Sequence, residues 1–308
     1  MTIAPKSFLT CAIKGILCGL VYAIGCVLTG LLAGMFHVTL PNLTPAGVSQ
    51  GQALQHFLFA SALMGLCLTP LACGIAGKRI PRWLTLSFLP FICLGLNATI
   101  EILIFTTMIT RRAAPSLVAS IALPAFLFGA ALAFVGAPEP NAPSFFQRAR
   151  EFFATRSLSA WAGRIVLAIL AFPVVYFIFG AMVAPLVVPA YRAGIAGLVL
   201  PPLSVIMPVQ IVRSIFFLLA SLPFLILWKG KRGSLILSLG LAHFFLVGLF
   251  GLMQASFLPA VLRIAHSLEI AADSFAYAAA LTFLLFPRPS ASPVPAQAHT
   301  ASSSTAVL

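Results

Sequence analysis

Apolar residues run almost unbroken through eight stretches of this chain, near 8–36, 54–77, 83–108, 114–137, 159–187, 208–228, 234–257 and 261–286. Each is long enough to cross a bilayer core, which takes about 20 helical residues. The short alternating segments of a membrane β-barrel are absent, and the Gly and Ala within the runs suit close helix packing in lipid. The pattern predicts an all-α integral membrane protein with eight transmembrane helices. Lys6 ahead of the first run imitates a secretory signal, but residues 15–36 exceed a signal core, so this run is read as a retained helix. Ala23-Ile24-Gly25-Cys26 lacks the Leu expected three positions before the Cys of a lipoprotein cleavage site.

Composition agrees: 61% of the residues are hydrophobic and 7% charged, which leaves little for a soluble domain. A formal net charge of +13 would suggest nucleic acid in a soluble protein. Here the basic residues sort by side instead. One set of loops carries Lys6, Lys14, Lys78, Arg79, Arg82, Arg148, Arg150, Arg156, Arg164, Lys229, Lys231, Arg232 and Arg288; the other keeps Arg111, Arg112, Arg192, Arg213 and Arg263. The excess of Lys and Arg on cytoplasmic loops predicts cytoplasmic N- and C-termini in a plasma or inner cell membrane. The basic loops would rest on anionic lipid headgroups, with no nucleic acid needed to explain the charge. Cys11, Cys18, Cys26, Cys67, Cys73 and Cys93 form no Cys-x-x-Cys pair and read as small apolar residues.

Sliding the second segment onto the sixth aligns Ser61, Leu66, Pro70 and Gly77-Lys78-Arg79 with Ser214, Leu219, Pro223 and Gly230-Lys231-Arg232. A second match joins Phe126, Ala130-Ala131-Leu132, Phe134, Pro138 and Pro140 to Phe275, Ala279-Ala280-Leu281, Phe283, Pro287 and Pro289. Four crossings per copy give both copies the same orientation, so the expectation is a parallel 4+4 internal repeat about an axis along the membrane normal. The divisions are 1–140 and 159–287 for the two membrane halves and 141–158 for a linker. Within the linker Ser144 can cap an interfacial helix with Phe145, Phe146, Phe152 and Phe153 on one side and Arg148, Arg150 and Arg156 among headgroups. Residues 288–308, rich in Pro, Ser and Ala, read as a disordered cytoplasmic tail.

Candidate chemistry lies in the last segment. Glu269 and Asp273 are two of only five acidic residues, on the stripe Arg263, His266, Glu269, Asp273. A carboxylate facing hydrocarbon costs on the order of 3 kcal/mol even on lenient insertion scales, so membrane acids face a polar interior or a water-filled path. The topology brings Asn97, Glu101, Gln52, Gln55, His56, Gln210, Arg213 and Gln254 to a similar depth, with Gln254 in the repeat position of Glu101. The loops from Leu40 to Gly47 and from Gly194 to Pro208 are broken by Pro and Gly, as expected where backbone lines a cavity. Asn42-Leu43-Thr44 fits a glycosylation acceptor only formally.

Three functions fit. In the first, an outward-facing cavity couples protons or cations to the binding of a small solute or lipid through Glu269, Asp273 and Glu101, with His266 as relay and no cofactor. In the second, His56, His266, Glu269 and Asp273 or Glu101 hold zinc or iron in a hydrolase acting on a lipid or prenyl-linked substrate. In the third, pairs such as Arg263 to Glu269, and Arg213 to Asp273 or Glu101, fix helix packing alone. His243, in mid-segment, reads as a hydrogen-bonded packing residue.

Overall fold

The computed structural model describes residues 5–41, 49–136 and 138–287. The loop Asn42 to Gly47, Arg288, His299 and the 288–308 tail lie outside the described residues. Among those described, eight helices are long and apolar enough to span a membrane: Leu9–Met35, Gln50–Gly74, Arg79–Phe105, Arg111–Ala133, Leu158–Arg192, Leu203–Leu227, Arg232–Gln254 and Ala260–Leu285. By length and composition they are the helices of a multi-pass membrane protein. They are numbered as spans one to eight. The turns at 75–78 and 228–231 and the linker 134–157 share one end of the bundle, the near face; the loops at 106–110, 193–202 and 255–259 share the far face.

Prolines account for the largest boundary differences. The fifth span continues to Arg192 through Pro185 and Pro189, and the sixth starts at Leu203 with Pro208 inside it. A proline removes one helical hydrogen bond, but in lipid a helix is the only way to satisfy the neighbouring peptide groups, so the helix continues through it. The third and seventh spans each change to π-helix midway, at Phe91–Asn97 and Phe245–Leu249, and these wide turns pack against each other in the centre.

The first span packs on the second and fourth, and the third on the fourth; the fifth packs on the sixth and eighth, and the seventh on the eighth. The two groups meet where the second span touches the seventh and the third touches the sixth. Small residues permit the closest approach. A Cβ on Gly19 would collide with the backbone of Ser61, and one on Gly65 with the backbone of Gly15 and Gly19. Gly15 and Gly19 thus form a small-xxx-small seam against Gly65. Gly19→Val is expected to destabilise by about 3 kcal/mol, the upper end of overpacking costs, because backbone atoms cannot move aside. Gly30→Val, at a site with nothing within 4 Å, should be neutral. Size-exclusion profiles after heating compare the two.

At the near face the groups are tied by a reciprocal exchange. Ala76 N–H donates to Leu227 O at 2.8 Å and Lys229 N–H to Gly74 O at 3.0 Å, around an antiparallel bridge between Ile75 and Trp228. Several arginines point inward here. The fully buried Arg82 donates to the carbonyls of Ile75, Ala72 and Gly136, which end the second and fourth spans. Arg156, Arg164 and Arg232 donate to Leu285, Leu284 and Phe286 at 2.8, 2.7 and 2.7 Å, capping the eighth span. The last turn of a helix leaves carbonyls unpaired and partly negative, and guanidinium satisfies both needs. In the linker, Ser144 caps the expected helix, Phe145–Ala154, accepting from Gln147 N–H at 3.1 Å. Phe152 is buried against Trp161, whereas Phe146 stays exposed, so only part of its apolar side faces away from the protein.

On the far face the 193–202 loop crosses to the end of the third span. Val199 N–H donates to Phe105 O and Thr107 N–H to Gly197 O, both at 2.9 Å. Its tight path needs left-handed backbone at Gly194 and Gly197, φ 65° and 77°, which glycine adopts without strain.

Candidate functional site

Beneath that loop lies a cavity of about 530 Å³, within the range of small-molecule sites. The third span and the fifth to eighth spans form it, and Phe105, Leu198 and Leu200 line its far end. Most of the wall is apolar or aromatic. The titratable groups are Glu101 from the third span, Tyr176 and Tyr191 from the fifth, Arg213 from the sixth, His243 from the seventh, and His266, Glu269, Asp273 and Tyr277 from the eighth.

Several of these groups are linked in two sets. Arg213 is 2% exposed and reaches Glu101 at 3.4 Å; it also donates to Gln210 Oε1 at 3.1 Å and lies over the rings of Phe172 and Phe217 at 5.5 and 5.7 Å. On the eighth span, His266 Nδ1 is 2.7 Å from Glu269 Oε2, and its Nε2 is 3.3 Å from the Tyr191 hydroxyl. With the imidazole proton on Nδ1, Nε2 accepts from Tyr191, and the row Tyr191–His266–Glu269 is continuous. Asp273 follows one turn later. It is 6% exposed, and its Oδ1 has no hydrogen-bond partner among the described residues. Opposite Glu269 stands Gly180, where a Cβ would come within 3.2 Å of Oε1.

Of the residues singled out from sequence, Glu101, Arg213, His266, Glu269 and Asp273 meet in this cavity. Arg263 does not line it. At about 100° per residue it sits about 120° round the helix from Glu269, so the expected Arg263–Glu269 pair is replaced by His266–Glu269. Of the two expected partners of Arg213, Glu101 makes the pair. Gln254 donates to Phe250 O on its own helix at 2.7 Å, and Asn97 is buried in the π turn with neither side-chain polar atom bonded among the described residues. Neither lines the cavity, and His56, Gln52 and Gln55 on the second span are also outside it. The proposed metal set is therefore not assembled. Among the described residues no three His, Cys, Asp or Glu side chains are placed to hold a metal ion.

No family model, curated protein or solved structure matches the chain. Function is argued from the cavity itself. His243 behaves as the sequence suggested, 3.1 Å from Ser221 Oγ and stacked on Tyr277, although it also reaches the cavity wall. The sequence reading missed the aromatic lining. Tyr176, Tyr191 and Tyr277 are three of only four tyrosines in the chain. A polar-tipped aromatic within an apolar run was the available signal.

Proposed function

We propose that the chain is a membrane carrier in which Glu269 and Asp273, with Glu101 and His266 beside them, exchange protons or cations as a small solute enters the far-face cavity. The observation that carries this reading is Asp273, a buried carboxylate with an unbonded oxygen beside the His266–Glu269 pair. A purely structural role accounts for Arg213–Glu101, which joins the third and sixth spans, but it leaves Asp273 Oδ1 without a hydrogen-bond partner among the described residues. The hydrolase reading lacks its ligand set.

The carrier is read as a parallel 4+4 repeat, with halves 1–140 and 159–287 joined by the linker 141–158. Four features support this. The second and sixth spans are both 25 residues long; the third and seventh begin at the aligned Arg79 and Arg232 and share a π turn; contacts between the groups are reciprocal; and the bridged Ile75 and Trp228 are aligned partners. In that alignment Phe57 stands for Gln210, Phe128 for Tyr277 and Phe250 for Asn97. Tyr22, on the first span, packs edge-on against Phe128 and Phe250 at 5.9 and 5.7 Å, so an aromatic cluster surrounds the first-half counterpart of Tyr277.

The exposed Lys78, Arg79, Arg150, Lys229 and Lys231 support a cytoplasmic near face against anionic lipid in the cell membrane, and hence a cavity facing outward. A fluorescent protein fused at the C-terminus is expected to mature and alkaline phosphatase fused there to stay inactive; active phosphatase contradicts the orientation. For the carrier itself, pH-gradient dissipation in proteoliposomes is followed with a trapped dye on adding sodium, potassium or ethidium in turn. At least one is expected to move protons above protein-free vesicles, and failure of all three in folded protein counts against the reading.

A further inference from the structure

Resting on that carrier reading, we infer that the cavity takes a lipophilic organic monocation, an amine or quaternary onium with an aromatic or alkyl body. The charge count comes first. Arg213 is matched by Glu101, and the neutral His266 donates to Glu269 without cancelling its charge, which leaves Glu269 and Asp273 with no cationic partner in an ion pair among the described residues. Unmatched negative charge in a low-dielectric cavity selects a cation and rejects anions. The wall then selects the kind of cation. A bare sodium or calcium ion needs a shell of several oxygen ligands, whereas this wall offers Tyr176, Phe177, Tyr277 and Phe172 around the carboxylates. Aromatic faces attract a diffuse onium charge and bury its apolar substituents. Phe172 and Phe217 already hold the Arg213 guanidinium in this way. Gly180 completes the argument, since its missing side chain opens the approach to Glu269 from the fifth span.

Protons compete with the cation for the same carboxylates, so occupancy falls as pH falls. The charged groups facing Glu269 and Asp273 are Glu101, Arg213 and His266; Tyr176, Tyr191, Tyr277 and His243 are the remaining titratable side chains of the cavity.

The test is equilibrium binding to the purified full chain in detergent. Tetraphenylphosphonium is the probe, and tetraphenylborate, of the same shape and opposite charge, is its control. Saturable binding of the phosphonium and none of the borate is expected. Asp273→Asn should weaken phosphonium binding about tenfold or more, as for loss of one charge-assisted contact. Gly180→Leu, which keeps every charge but fills the approach, should weaken it similarly. Equal binding of both probes to the wild type overturns the proposal whatever the variants do, as does unchanged affinity in both folded variants. Proton release on binding separates this proposal from the carrier reading. Phosphonium binding without proton release upholds the cation site and removes the coupling; proton flux in vesicles without phosphonium binding upholds the carrier and overturns the cation.

Discussion

Asp273→Asn and Glu269→Gln are each expected to reduce solute-dependent proton movement in proteoliposomes about ten- to a hundredfold, the equivalent of losing a charged contact worth roughly 1.5–3 kcal/mol. Both substitutions preserve shape and remove only the exchangeable charge. Asp273 contributes an oxygen that has no hydrogen-bond partner among the described residues, so its neutral form offers a cation no charge. Glu269 acts through Oε2 on His266 and through Oε1 toward Gly180, so Glu269→Gln also removes the charge that strengthens the Tyr191–His266–Glu269 row. Asp273→Glu should retain part of the flux, and His266→Gln should lose less than either carboxylate variant. The trapped-dye assay reads all four. Wild-type rates in both carboxylate variants would remove these residues from the coupling.

The largest effect on stability is expected at the opposite end of the bundle. Arg82→Leu should destabilise the protein by about 3–6 kcal/mol, from three carbonyl acceptors left open at roughly 1–2 kcal/mol each. Those acceptors, on Ile75, Ala72 and Gly136, hold the ends of two spans beside the turn that pairs Ile75 with Trp228. Arg79, three residues away and exposed over Phe134, serves as the comparison. Arg79→Leu should shift the melting temperature little. Melting followed by tryptophan fluorescence distinguishes the pair, and equal shifts would contradict the capping role.

Arg82 also shows where sequence reasoning stopped. Its position after a Gly-Lys-Arg turn marked it as a loop cation, and nothing local revealed that it folds back beneath its own helix. The eight spans were legible because lipid demands long apolar runs, and errors clustered at Pro185, Pro189 and Pro208, where local propensity gave way to the need for paired peptide groups. On the eighth span the spacing of His266, Glu269 and Asp273 was enough to place them together, since a helix fixes their relative angle. Arg263 failed the same test by about a third of a turn. Which face of the fifth span meets the eighth could not be read, because that span is apolar nearly all round. Tyr176, Tyr191 and Gly180 therefore emerged only with the tertiary contacts. The His56 ligand set failed for the same reason, since depth in the membrane gives height along the bundle and not position around it.

The most direct measurement of the central claim is infrared difference spectroscopy of the purified protein on adding tetraphenylphosphonium, read at the carbonyl stretch of protonated carboxyl groups. The account predicts loss of that band as the cation displaces a proton, with the change diminished in both Asp273→Asn and Glu269→Gln. A band that does not respond to the cation, or one that responds in both variants as fully as in the wild type, would contradict it.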